Sequence, residues 1–135
     1  MIFVDSNIPM YAAGKPSEFK EACIQFLLKI EQLKVQAASS VEVLQEILHR
    51  FYALRRLQEG VEVYQRFRAL PLHFFEIKVE DLDEAKEILI SSHHLSSRDA
   101  IHLAVMRRNK INKIVTYDRG FLNVKALKVL LPHQV

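Results

Sequence analysis

The chain of 135 residues is half apolar and 26% charged, with a net charge of +3, a balance that excludes a disordered polymer and fits one core. No apolar run approaches the ~18 to 20 residues of a membrane helix, and the N-terminus lacks the basic start and long apolar stretch of a secretory leader. A cytoplasmic protein with one domain over residues 1–135 and no membrane partner is expected, and its lone cysteine, Cys23, can form neither an internal disulfide nor a thiolate metal site.

MIFVD reads as a short buried strand, and Pro9 suits the first turn of a following helix. Phe19, Ala22, Cys23, Phe26, Leu27 and Ile30 recur at spacings of three and four, which predicts an amphipathic helix with Cys23 as core filler. VQAAS is a plausible second strand. Ser39, with Glu42 three residues on, predicts a capping box for a helix through Val43, Leu44, Ile47, Leu48 and Phe51. A helix from Gly60 to Leu70 should place Val61, Tyr64, Phe67 and Arg68 on one face and end before Pro71. HFFEIKV follows as a third strand, and EDLDEAKEILISSHH as a helix with an acidic first turn. SSRDAIHLAVMRRNK should be a helix with a serine cap, Ile101, Ala104 and Val105 on one face, and a basic last turn. KIVTYD and LKVLLP complete the strands. Apolar strands alternating with helices imply an α/β fold with a mostly parallel sheet covered by helices.

IFVD and IVTYD each run an apolar strand into an aspartate, Asp5 and Asp118. Open parallel sheets bind ligands beyond the carboxyl ends of their strands, so both acids should face the functional edge. Taken singly, such an aspartate is better explained by a turn or a cap, and it is the presence of two in one sheet with two helix-borne acids that favours a site. Asp99 near a helix start has the alternative of a capping box with Ser96. Glu46 stands too deep in its helix to serve a cap, and its structural alternative, an i,i+4 pair with Arg50, is worth only a few tenths of a kcal/mol.

If the four acids converge, the cluster needs a cation, because two like charges ~4 Å apart repel by about 4 kcal/mol at an effective dielectric near 20. Oxygen ligands without cysteine select a hard ion, Mg²⁺ or Mn²⁺. The six histidines show no zinc spacing; His93 and His94 are adjacent and would face different ways on a helix. His102, three residues after Asp99, could approach the cleft but is assigned no direct role. Gathering four of the sixteen acids into one site leaves about +7 on the remaining surface, enough to attract a polyanion. Arg98 and Arg119 adjoin proposed ligands and are candidate phosphate contacts, while Arg107 and Arg108 suit a helix's last turn. Tyr117 and Phe121 are read as core.

FVDSNIPMYA, SSVEVLQE, SRDAIHLA and IVTYDRGF, in this order, resemble the PIN-domain nucleases and, more narrowly, the VapC-type ribonucleases of toxin–antitoxin pairs. The resemblance covers residues 1 to 125. It implies a three-layer α/β/α sandwich around a five-stranded sheet ordered 3-2-1-4-5. It further implies a metal-dependent endoribonuclease whose acidic quartet falls on Asp5, Glu46, Asp99 and Asp118, with Ser6, Asn7 and Thr116 as supporting polar residues. Asp5, Asp99 and Asp118 would hold the ion, with Glu46 as a further ligand or the group orienting the attacking water. Partners implied are an RNA substrate, a small antitoxin bound partly by residues 49–71, and a second copy in a homodimer. The sequence departs from many relatives at RGF after Asp118, where they carry a further acid. The competing readings are a PIN-like module that binds RNA or protein without cutting, and a PIN nuclease of RNA processing with no antitoxin. An aspartyl-phosphate enzyme is disfavoured because Asn7 stands where a second aspartate would be needed.

Overall fold

A computed structural model describes residues 1–92 and 94–135. β1 (Ile2–Val4) is the central strand of a five-stranded sheet and is flanked by β2 (Ala37–Ser40) and β4 (Lys113–Val115). β3 (His73–Phe75) extends the sheet beyond β2, and β5 (Lys128–Leu130) extends it beyond β4, giving the order β3-β2-β1-β4-β5 with every pair parallel. Helices α1 (Asn7–Ala13), α2 (Lys20–Glu31), α3 (Val41–Ala53), α4 (Leu57–Ala69), α5 (Val79–Ser91) and α6 (Ser97–Arg108) flank it, packing as the pairs α1–α2, α3–α4 and α5–α6. This is the α/β/α architecture expected from the resemblance.

A strand covered on both faces cannot alternate polar and apolar residues. Phe3, Val4, Ile114 and Val115 are accordingly all fully buried, and Cys23 lies in the core with Phe26 and Ile30. β2 is built instead from small residues, AASS, all buried. Ser39 is therefore a strand residue whose hydroxyl donates to Val4 O at 2.9 Å, and the cap of α3 is Ser40, whose Oγ accepts from Val43 N. The predicted cap is one residue early.

Helix α4 begins three residues before the expected Gly60. Its buried face is Gly60, Val63 and Phe67, so Val61 and Arg68 do not belong to it. Gly60 is a contact rather than a start: a Cβ there would run into the Phe51 side chain, so the missing side chain lets α4 close on α3. β3 stops at Phe75, short of the HFFEIKV expectation. α5 ends at Ser91, before the expected His94, and His93 lies outside the described residues. The middle of α6 is buried all round, through Ala100, His102, Leu103, Ala104, Val105 and Met106, while Ile101 is only half-buried.

The last-turn arginines of α6 have fixed partners. Arg108 donates Nε to Asp81 Oδ1 at 2.7 Å and Nη2 to Asp81 Oδ2 at 2.9 Å, and Asp81 Oδ2 also accepts from Lys78 N at the start of α5. Burial pushes the Asp81 carboxyl up, but the guanidinium beside it outweighs that and holds it below the usual aspartate range. Arg107 pairs with Glu84 at 3.2 Å. Both arginines thus join α6 to α5.

Candidate active site

β1 is where strand order reverses, with β2 on one side and β4 on the other, and this switch point opens a crevice at the carboxyl ends of the strands. The register pairs Val4 with Val115, so the next residues, Asp5 and Thr116, stand side by side; Asp5 N donates to Val115 O at 3.2 Å.

Asp5 is almost fully buried, and its carboxylate is held from several directions. Ser6 N donates to Oδ1 at 2.7 Å, while the Thr116 hydroxyl and Asn7 Nδ2 donate to Oδ2 at 2.6 and 3.2 Å. The same Thr116 oxygen accepts from Asn7 Nδ2 at 3.0 Å and from Asp118 N at 2.9 Å. Asn7 Oδ1 in turn accepts from Tyr117 N at 3.3 Å. Thr116 and Asn7 therefore lace the end of β1 to the end of β4, and fix Asp5 and Asp118 relative to each other.

Asp118 Oδ1 accepts from Gly120 N at 2.8 Å, opening a short 3-10 turn over Arg119–Asn123. The turn is tight at Gly120. A Cβ on Gly120 would lie 2.9 Å from His94 O and 3.2 Å from Asp118 Oδ1, so no acidic side chain fits at this point of the turn without a shift. Phe121 of the same turn is fully buried, and Tyr117 packs against Phe19 and Tyr11 with ring centroids 4.4 and 5.5 Å away. Both are core, as read from the sequence.

The two helix-borne acids arrive from opposite neighbours. Glu46 is the sixth residue of α3 and Asp99 the third of α6. Ser96 caps α6 by accepting from Asp99 N at 3.2 Å, which leaves the Asp99 carboxylate to the crevice. Asp5, Glu46, Asp99 and Asp118 line one cavity of about 340 Å³ together with Ser6, Asn7, Met10, Ser96, Arg50 and Arg98. All four expected acids are thus brought together, with Ser6 and Asn7. Thr116 stands behind Asp5, fully buried, and Arg119 is exposed on the turn after Asp118.

The carboxylates act on one another. Asp99 is pushed up to about 7, first by burial and then by the Asp118 and Asp5 charges beside it. Asp5 is also raised: its burial outweighs the help of His102 and the Thr116 hydroxyl. Burial pushes Glu46 up as well, but the His102 hydrogen bond and charge hold it below the usual glutamate range. A pocket that penalises its own negative charges fits a divalent cation, and its carboxylate oxygens suit a hard ion, with the His102 ring nitrogen within 4.8 Å of the Asp5 and Glu46 oxygens.

His102 is the residue that sequence reasoning left without a role. It is completely buried on α6, one turn after Asp99, and its Nε2 lies 3.2 Å from Glu46 Oε1 and 3.7 Å from Asp5 Oδ1. Burial lowers its pKa, but the Glu46 hydrogen bond and the Asp5 charge more than reverse that. The only sequence signal was its i,i+3 spacing from Asp99, which puts it on the same face of α6.

Comparison with known proteins places this arrangement. The family model "PIN domain" matches residues 2–127. The chain is 33% identical over 130 residues to ribonuclease VapC13 of Mycobacterium tuberculosis, covering 96% of this chain and 99% of the relative. It is 28% identical over 118 residues to ribonuclease VapC23 of the same species, covering 87% and 93%. Among solved structures it resembles the toxin VapC20 of M. tuberculosis, described as cleaving the sarcin–ricin loop, with a TM-score of 0.75 at 17% identity over 90% of this chain and 93% of that one. It also resembles VapBC2 from Rickettsia felis bound to a DNA fragment from its promoter, with a TM-score of 0.71 at 16% identity over 97% and 98%. Its five-stranded order, its acid-lined switch point and a family match over nearly all of its length agree: the chain belongs to the PIN domain family, with VapC ribonucleases as its relatives.

Proposed function

We propose that this protein is an endoribonuclease that hydrolyses RNA phosphodiesters with the help of a divalent cation, Mg²⁺ or Mn²⁺, and that it is the toxin of a VapBC-type toxin–antitoxin pair in the cytoplasm. The observation that carries the proposal is the meeting of Asp5, Glu46, Asp99 and Asp118 in one cavity at the β1–β4 switch point. The complete acid set favours a nuclease over a binding module of the same fold. Kinship with VapC ribonucleases favours a toxin over a processing enzyme.

Asp5, Asp99 and Asp118 would hold the ion. When bound, a divalent cation lowers the pKa of water and offsets charge on the phosphorus oxygens. Glu46, kept ionised by His102, can accept a hydrogen bond from the attacking water and orient it in line with the scissile bond. Thr116, Asn7 and the Ser6 amide hold Asp5 still, so it need not reorganise when the ion or substrate arrives. The products would be a 5′-phosphate and a 3′-hydroxyl.

Arg98 lines the cavity and Arg119 stands beside Asp118, and we assign both to backbone phosphates of the substrate. RNA cleavage by the purified protein should vanish in EDTA and return with Mg²⁺ or Mn²⁺. Arg98→Ala and Arg119→Ala should each reduce the slope of log affinity against log salt by about 0.7, the value for one phosphate contact on a single strand. Undiminished cleavage in EDTA, or unchanged salt slopes, would contradict these assignments in turn.

The antitoxin and a second copy of the chain remain part of the proposal through residues 49–71. Tyr52, Leu54 and Leu57 are exposed at the α3–α4 end, apolar surface of a kind that marks protein contacts. A monomer at every concentration by light scattering would remove the homodimer.

A further inference from the structure

Glu46 reaches the cavity on a side chain with three rotatable bonds, and apart from His102 the hydrogen-bonding side chain that holds it there is Ser6, itself at the cavity's open side. The Asp5 and Glu46 charges repel each other, while Arg50 and Arg98 line the same cavity and offer competing partners. What stands behind Glu46 is His102. Its ring packs against the buried Phe3 with centroids 5.4 Å apart, and its Nε2 meets Glu46 Oε1 at 3.2 Å.

Nδ1 of this ring is buried without a hydrogen-bond partner among the described residues. A proton placed only there would be a buried donor with no acceptor, a loss of about 1–3 kcal/mol, and would leave Nε2 a bare lone pair facing carboxylate oxygens. Nε2 therefore carries a proton whether the ring is neutral or charged. Asp5, Glu46 and His102 do bring three ligand atoms within 4.8 Å of one another; for His102 to ligate, the ring would have to give up its Nε2 proton and its hydrogen bond to Glu46, and the variants below separate that case from a donor role.

Resting on the metal-dependent reading above, we propose that His102 is a positioning residue: its Nε2–H, held from the core side by Phe3, fixes Glu46 in the orientation in which the cavity takes up a divalent ion. Partners of this kind, one shell behind a ligand, are worth about 10- to 100-fold in metal affinity. The role belongs to a hydrogen-bond donor at one point in space, not to the imidazole as such, and glutamine can place an amide N–H close to the same point.

The test is a Mn²⁺ titration followed by electron paramagnetic resonance on the wild type, His102→Leu and His102→Gln, with circular dichroism to confirm folding. We expect His102→Leu to weaken Mn²⁺ binding by about 10- to 100-fold, and His102→Gln to recover most of that loss. In a Glu46→Gln background His102→Leu should cause no further weakening. A purely structural histidine would lower the melting temperature of both variants and leave the Mn²⁺ affinity of the folded protein unchanged, and that result overturns the proposal. Equal loss in both folded variants also overturns it, in favour of direct ligation. Should His102→Leu not fold, the imidazole ¹⁵N spectrum of wild type decides. A protonated Nε2 whose resonance moves on Glu46→Gln supports the role, and a proton on Nδ1 alone or an unmoved resonance overturns it. A wild type that binds no Mn²⁺ defeats the metal reading and this inference together, an outcome distinct from a wild type that binds and a His102→Leu variant that binds equally well.

Discussion

Asp5→Asn should leave a folded protein whose metal-dependent RNA cleavage is reduced by at least about 10³-fold, equivalent to about 4 kcal/mol of barrier. The expected loss is large because Asp5 is the acid whose position the protein controls most closely. Four groups donate to its carboxylate, Ser6 N and Oγ, Asn7 Nδ2 and the Thr116 hydroxyl, and it sits where the β1 and β4 ends meet. An asparagine keeps the shape and one acceptor oxygen, but its amide nitrogen must face Ser6 N or the Thr116–Asn7 pair, all of which donate to the carboxylate. That mismatch should cost on the order of 1–2 kcal/mol of stability, offset in part because the substitution removes a buried charge whose carboxyl is already pushed up by desolvation. The fold should survive with a melting temperature shifted by a few degrees, and the rise in melting temperature that Mn²⁺ gives the wild type should disappear. Purified Asp5→Asn protein with unchanged metal-dependent cleavage would remove Asp5 from the site.

The metal-free protein should lose stability as pH rises from about 4 through about 7, measured by calorimetry in EDTA. Asp99 provides the sign: its ordinary value is 3.8, and in the folded protein burial and the neighbouring Asp118 and Asp5 raise it to about 7. Between those values the folded state binds the proton more tightly than the unfolded state, so stability falls with pH. Asp5 and His102, both raised, act in the same direction. Glu46 and Asp81, held below their ordinary 4.5 and 3.8, act oppositely, and their contributions are lost only as the pH drops below those values. At pH 8, Asp99→Asn should stabilise the metal-free protein by about 1–2 kcal/mol, after discounting for screening at a half-buried position and for the lost favourable charge in the first turn of α6. Saturating Mn²⁺ should reverse the slope for the wild type, since the ion competes with protons for the same oxygens. Stability that rises with pH in EDTA, or an Asp99→Asn protein no more stable than wild type at pH 8, would show that the acids do not share one pocket.

Much of this site was legible because strand ends and helix starts are local. Asp5 and Asp118 each follow a short apolar strand, and Asp99 follows a serine cap, so their chain neighbours already indicate where they point. Glu46 stood out as an acid too deep in its helix to serve a cap. The strand order came from the family resemblance, since periodicity marks strands without saying which lie side by side. Ser39 and Ser40 were confused because both are small and polar. The choice depends on Val4 O, 35 residues away in sequence, which takes the Ser39 hydroxyl. Gly60 looked like a helix boundary by propensity, yet the close approach of Phe51 uses its missing side chain. Arg108 looked like a complement to the helix dipole, and its partner Asp81 is 27 residues away. His102 was passed over for the same reason: Glu46 is 56 residues away in sequence, and a lone histidine on an apolar helix face carries no sign of such a partner. The features missed were those defined by contacts between distant segments.

The most direct measurement is anomalous diffraction from crystals of the protein soaked in Mn²⁺. The site described here predicts a peak in the cavity at the β1–β4 switch point, with carboxylate oxygens of Asp5 and of Asp99 or Asp118 at about 2.1 Å. A well-ordered crystal with that cavity open to solvent and no peak in it, or with Mn²⁺ bound only elsewhere, would contradict the central claim.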